Sequence, residues 1–259
     1  MNTPSRAATV SSFTLIKGAM IPETYAVFAE WDFNKSKREN LDRLRRENYI
    51  GARSAAWLRD LAWVLSRRFE PAGRDRALVI LAQGACPLDE WKPILLWHIT
   101  RDEFLLRDFL VNWLYPRFEA GVLRVKPEEL DDFLRNLGNR GGMTEHEWSD
   151  VTKRRVEAGL LKAAVDFGLL KGSGVKEFAS YHLPERSFLY VLYAIHDQLV
   201  SPARVINSTD WRMFLMSSSD VEREVLRLHQ YKKLQYEAAG TLLQLTLPHQ
   251  TALEYAKAV

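Results

Sequence analysis

Apolar residues return every third or fourth position in most of the segments that lie between the glycines and prolines of this chain. That period matches one face of an α-helix and does not match the alternation of a half-buried strand. In "AAWLRDLAWVLSRRF", Leu58, Ala62, Leu65 and Phe69 stack into one apolar stripe, whereas Arg59, Trp63 and Arg67 fall together on the opposite side. In "VTKRRVEAGLLKAAVDFG", Val156, Leu160, Ala163 and Phe167 form a second stripe, and Arg155, Ala158 and Lys162 share another face beside Gly159. Such a chain buries its stripes by packing helix on helix. The expected fold class is therefore mainly α: a compact helical protein with two helix-turn-helix or winged-helix-like units and short β-hairpins.

The punctuation divides the chain. Pro22 stands where a first helical turn tolerates proline, so "PETYAVFAEWD" is read as a short helix. Asn34 or Ser36 caps the next, "NKSKRENLDRLRREN"; "YIGA" breaks it at Gly51, and Ser54 caps a third. From Pro22 to Arg68 this is the outline of a helix-turn-helix, although an αα-hairpin packed on the core is the commoner use of two short helices. The middle continues helically to Arg135 without strand alternation, with Pro93 and Pro116 expected to break or bend their helices. Asp89, Glu90, Glu128 and Glu129 fall in first turns, where the helix dipole favours carboxylates. From Pro127 to Gln198 the order is a helix, a polar turn, a basic helix capped by Ser149 or Thr144, two short runs around Gly172, Ser173 and Gly174, and an apolar helix "ERSFLYVLYAIHDQL". That is the outline of a winged helix-turn-helix, and the small residues beside Arg155 and Lys162 would let its basic helix approach a groove closely. The remainder reads as a helix capped by Ser218 or Ser219 and a hairpin-like alternation around Gly240. The expected division is an N-terminal unit (1–76), a helical connector (77–126), the winged unit (127–200) and a C-terminal helix with short strands (201–259), packed as one globule.

Composition excludes several classes. With 259 residues, 47% hydrophobic and 27% charged, the chain buries a core without staples. The single cysteine, Cys86, forms no internal disulfide and is read as a buried thiol, so a reducing cytoplasm is the expected compartment. The apolar runs "ALVILAQGAC" and "PILLWHI" fall short of the ~20 residues that span a bilayer, and no membrane contact is expected. His146 and Glu147 begin like a zinc signature but continue "WSD", and His98, His182, His196, His229 and His249 are scattered singletons read as structural. Neither a GxSxG nucleophile elbow nor a GxxxxGK[ST] or GxGxxG phosphate loop occurs. No catalytic, metal or cofactor site is expected, and the chain is read as non-enzymatic.

Charge is uneven in a way the total conceals. The net charge is +3, but Lys35 to Arg76 carries twelve Lys and Arg against six Asp and Glu, a local +6 that leaves about −3 for the rest. Basic helices with a basic hairpin point to double-stranded DNA, held mainly through its phosphates. The residues expected to carry this are Arg59 and Arg67 on the first unit, and Arg155, Lys162, Lys171 and Lys176 on the second. Lys35, Lys37, Arg38, Arg45 and Arg46 are secondary candidates at the groove edge. The competing reading is a protein–protein adaptor, which Trp63 favours because large exposed aromatics are enriched at protein interfaces.

Taken together, "SSFTLIKGAMIPETYAVFAEW", "ARSAAWLRDLAWVLSRRF" and "TKRRVEAGLLKAAVDFGLL" with the hairpin behind it resemble the BrxA family, the small protein of the bacteriophage-exclusion (BREX) defence systems. The resemblance implies a mainly helical, non-enzymatic component encoded with a DNA methyltransferase, a large ATPase and a phosphatase-like protein, any of which is a possible partner, and a part in phage restriction or host methylation. No dimerisation helix is evident, so a monomer without palindrome recognition is expected.

Overall fold

The computed structural model of the chain describes residues 9–144, 147–199, 201–239 and 242–259. Strand β1 (Thr9–Val10) leads into α1 (Ser12–Lys17), α2 (Ile21–Ala29), α3 (Lys37–Glu47), α4 (Ala55–Arg68), α5 (Arg76–Gln83) and α6 (Leu88–Ile99). Helix α7 (Phe104–Asp108) runs through a π-helical turn, Phe109–Leu114, into α8 (Tyr115–Glu119). Then follow β2 (Arg124–Val125), a 3-10 turn at Pro127–Leu130, α9 (Asp131–Arg135), β3 (Met143–Thr144), α10 (Asp150–Asp166), β4 (Leu170–Lys171) and β5 (Lys176–Phe178). The chain continues through α11 (Glu185–His196), α12 (Pro202–Ile206), a 3-10 segment at Thr209–Phe214, α13 (Ser218–Gln230), β6 (Gln235–Ala239), β7 (Leu242–Thr246) and α14 (Ala252–Ala258). The mainly α fold that the periodicity predicts is the fold observed.

Local signals set most helix starts. The Ser36 hydroxyl accepts from the Glu39 amide while Glu39 returns a bond to the Ser36 amide, a capping box that begins α3. Ser54 caps α4 through the Trp57 amide, and Ser149 caps α10 through the Thr152 amide. Before α13 the cap is Ser217, not Ser218 or Ser219, because Ser217 is the residue whose reciprocal partner, Asp220, lies three positions on. The turn between α3 and α4 passes through left-handed Asn48 and through Gly51 at φ +67°. The Asn48 side chain closes it by bonding Ala52 at both the amide and the carbonyl.

The two internal prolines differ in outcome. Pro93 lies inside α6, which runs unbroken from Leu88 to Ile99 because Trp91, Ile94, Leu95 and Leu96 are buried around it and packing outweighs the lost backbone bond. Pro116 does perturb its helix: it follows the π turn, where the Tyr115 amide reaches back five residues to the Leu110 carbonyl.

A continuous core runs from Val10 to Ala256. Helices α2, α5, α6, α11 and α14 form its centre. There Phe28 meets Trp31, Phe69 and Trp91 edge to face at ring distances of 5.8, 5.2 and 6.4 Å, and the buried Trp91 indole donates to the Leu78 carbonyl. Both sequence stripes, on α4 and on α10, are buried in this core. Cys86 is buried and free, as its isolation in the sequence predicts.

The strands are short. The expected hairpin after α10 is present as antiparallel β4 and β5, but a third strand, β2, pairs with β5 on the other side, giving the order β2-β5-β4. Strand β2 lies in the region where no strand is expected: two residues are too few to show alternation, and it exists through its partner 53 positions away. Likewise, β1 and β3 form a parallel two-residue pair. Strands β6 and β7 pair antiparallel from Gln235–Thr246 to Ala239–Leu242, and Gly240, the centre of the expected alternation, lies outside the described residues.

Helix α1 is the least expected element and the one that matters most for the surface. It packs against α10, where a Cβ added at Gly159 would come within 2.9 Å of the Leu15 carbonyl oxygen. Arg68, at the end of α4 and only 3% exposed, ties α1 in from the other side. Its guanidinium donates to the carbonyls of Thr14 (2.8 Å) and Gly18 (3.0 Å) and to Glu103 (3.1 Å), while the Thr14 hydroxyl donates to the second Glu103 oxygen at 2.9 Å.

Candidate nucleic-acid interface

Helix α4 presents the expected polar face. Arg59 and Arg67 are exposed, Trp63 is 43% exposed, and the Arg67 guanidinium sits 5.7 Å from the Trp63 ring centroid, a cation–π contact that leaves its charge outside any ion pair. Among the described residues no acid contacts Arg59 or Arg67.

On α10, Arg155 is exposed and contacts no acid among the described residues. Lys162 is exposed but bridges Asp166 one turn on, at 2.6 Å. Gly159 does not serve the role anticipated for it. It is buried, and the space above it is taken by the Leu15 backbone, so the close approach it permits is that of α1 and not of a groove. Glu157, on the same helix, is 3% exposed and has one carboxylate oxygen with no hydrogen-bond partner. Burial, reinforced by the neighbouring Asp131 carboxyl, pushes its pKa up to about 7.

At the β4–β5 hairpin, Lys171 is exposed without an acid partner among the described residues. Lys176 differs: its ammonium folds back onto the carbonyls of Gly172 (3.0 Å) and Ser173 and ties down the tip. Gly172, at φ +101°, permits that turn, since a Cβ there would fall 2.7 Å from the Val175 carbonyl.

The secondary group on and before α3 is largely neutralised in place. Lys35 pairs with Asp32 (3.4 Å), Lys37 with Glu70 (2.7 Å), Arg38 and Arg45 with Asp42 (3.7 and 3.0 Å), and Arg46 with Glu47 (2.9 Å). Those five cations are therefore weaker candidates than their density in the sequence suggests, because any anion competes with a carboxylate already present.

The two faces flank α1. Lys17 of α1 bridges Asp60 of α4 at 2.5 Å, and a Cβ at Gly18 would stand 4.0 Å from Lys162 Nζ and from Asp166 of α10. Beside this junction lies a cleft of about 480 Å³ whose wall includes Trp57, Lys92 and Lys162. Sequence reasoning missed Lys17 and Lys92, since no local pattern marks them.

The segments that build this surface, from α1 through α11, also coincide with a known sequence family: the BrxA family pattern matches residues 12–193. The chain belongs to the BrxA family. As a BrxA-family chain it is BREX-associated, and the assignment covers α1, α4, α10 and the hairpin but leaves α12 to α14 and the β6–β7 pair outside the match. No curated protein matches the sequence. Among the described residues, no helix is long and apolar enough to cross a membrane, and no group of three or more His, Cys, Asp and Glu side chains could hold a metal ion.

One titratable cluster escaped the sequence reading. His98, read as an isolated structural residue, is fully buried, with Nδ1 2.5 Å from Asp75 and Nε2 2.7 Å from the Tyr190 hydroxyl. Burial and the nearby Arg101 guanidinium hold its pKa down to about 4, so the ring is neutral, donating from Nδ1 to Asp75 and accepting from Tyr190 at Nε2. Burial also raises the Tyr190 pKa, which makes this phenol a poor nucleophile, and the trio reads as a polar clamp joining α5, α6 and α11.

Proposed function

We propose that this chain is a non-enzymatic component of a BREX defence system that binds double-stranded DNA through exposed cations of α4, α10 and the β4–β5 hairpin. The observation that carries the reading is that Arg59, Arg155 and Lys171 are exposed cations without an acid in contact among the described residues, so each can meet a phosphate without breaking an ion pair. The order of β2, short α9, long α10 and the β4–β5 hairpin, with β2 against β5, supports reading residues 127–198 as a winged unit with α10 as its groove-facing helix. Affinity drawn from phosphates is salt-dependent and weakly sequence-selective.

Fluorescence anisotropy of two unrelated duplexes across a salt series tests it. The expected result is similar affinity for both and a steep fall with salt; no binding at low salt sinks the proposal.

A second reading, an adaptor docking other BREX components, is favoured by one patch. Phe118, Val122 and Leu123 are exposed just before the edge strand β2, Leu123 at 80%, and the Phe118 ring lies 5.5 Å from that of Phe178.

A further inference from the structure

The cleft beside the α1–α2 junction has a composition that, Lys162 apart, the DNA reading does not use. Its wall is made by Lys17 to Glu23, by Trp57 of α4, by Leu88 and Lys92 of α6, and by Lys162 and Asp166 of α10. Three lysines and two acids, Glu23 and Asp166, line it, and two of the three ammonium groups are already held, Lys17 by Asp60 and Lys162 by Asp166. Lys92 is the exception. It is half-buried, contacts no acid among the described residues, and its Nζ lies 3.7 Å from where a Gly168 Cβ would stand. An anion entering the cleft therefore meets the Lys92 charge without displacing a carboxylate from it.

The rest of the wall suits a planar group attached to that anion. Trp57, Leu88, Ile21 and Pro22 supply aromatic and apolar surface, and a volume of about 480 Å³ falls within the range of about 300–1,000 Å³ usual for small-molecule sites. The first turn of α2 opens on the same space. That turn supplies wall rather than anion donors, because Pro22 has no N–H and Glu23 places a carboxylate there. A glycine loop is not needed for such a site, because side-chain cations replace it.

From these observations we infer that this cleft binds a nucleotide, its phosphate on Lys92 and its base against Trp57. The nucleotide is either free or part of a nucleic-acid strand, and the test separates the two sources. The full chain is titrated calorimetrically at low salt with ATP, dAMP, inorganic pyrophosphate and a single-stranded deoxyadenylate tetranucleotide. Binding of ATP and dAMP is expected, weakened about tenfold in Lys92→Ala, the loss of one charge-assisted hydrogen bond, and similarly in Trp57→Ala but not in Trp57→Phe. A tetranucleotide that binds more tightly than dAMP and responds to the same variants assigns the site to a strand; the reverse order assigns it to free nucleotides. Lys92→Gln gives a second reading should Lys92→Ala melt early. The inference fails if none of the probes binds, if the Lys92 variants bind as the native chain does, or if pyrophosphate binds as tightly as ATP. Because free nucleotides are the probe, failure of duplex binding leaves this result independent.

Discussion

Replacing Arg68 by alanine tests whether α1 is held as described. The guanidinium is buried and satisfies Glu103 and the carbonyls of Thr14 and Gly18 at 2.8 to 3.1 Å. Alanine leaves Glu103, itself only 7% exposed, with the Thr14 hydroxyl as its remaining partner in this network and strips two buried carbonyls of their donor. Removing one partner of a buried ion pair costs about 3–5 kcal/mol, most of it the penalty on the charge left behind. For a chain of this size that corresponds to a fall in Tm of roughly 6–20 °C, at about 2–4 °C per kcal/mol. Denaturant titration gives the free energy directly. Arg68→Met combined with Glu103→Gln should recover more than half of the loss, since no ion then remains unpaired. An Arg68→Ala chain within 1 kcal/mol of the native one, or a double variant no better than the single, would refute the assignment of α1 anchoring to this network.

The other predictions address the surface and the buried carboxyl. Arg155→Ala and Lys171→Ala should each weaken duplex binding on all sequences alike and lower the salt slope by about one, whereas Arg45→Ala, whose charge is already met by Asp42, should change the slope by much less; anisotropy at several salt concentrations reads both. Gly159→Val places a branched side chain against the Leu15 carbonyl and should destabilise the fold by about 1–3 kcal/mol in denaturant titration; a neutral outcome would mean that α1 is not seated there. Glu157, with its pKa raised to about 7, keeps its proton in the folded state between about pH 4.5 and 7, so its contribution is greatest at the acid end and is lost as pH rises through 7. His98, held down to about 4, acts in the opposite sense, and its contribution is lost as pH falls from about 6.5 towards 4. The difference between Glu157→Gln and the native chain isolates the first effect: the variant should gain up to about 3 kcal/mol relative to native between pH 4.5 and 8, and parallel stability curves would contradict it.

What could be read in the sequence is what depends on neighbours in the chain. The buried stripes of α4 and α10, the serine caps at 36, 54 and 149, and the glycine-centred hairpin follow from spacings of four residues or fewer. The features that escaped depend on distant segments. Strand β2 exists only through β5, Gly159 is shaped by Leu15, and the His98 clamp joins residues 23 and 92 positions away. The pairing of charges is hidden from the sequence for a related reason. Lys35 to Arg46 look like a basic patch by count, yet their acids lie within a helical turn or, for Lys37, across the fold at Glu70, and counting residues does not show which cations remain unpaired. Lys176 shows the same limit at the smallest scale, since its place at the hairpin tip was legible and its fold-back onto two carbonyls was not.

The seat of α1 has a consequence for how the two basic helices evolve. Where Leu15 meets Gly159 the contact is main chain to main chain, so no side chain is interposed whose exchange could widen or narrow the gap at that point. The spacing of α1 from α10 is in this respect a ruler cut in backbone, whereas that of α1 from α4 runs through the side chains of Arg68 and of Lys17 with Asp60. Exchanges on the outer face of α10 can retune how strongly it holds a ligand while leaving its distance from α1 as it was.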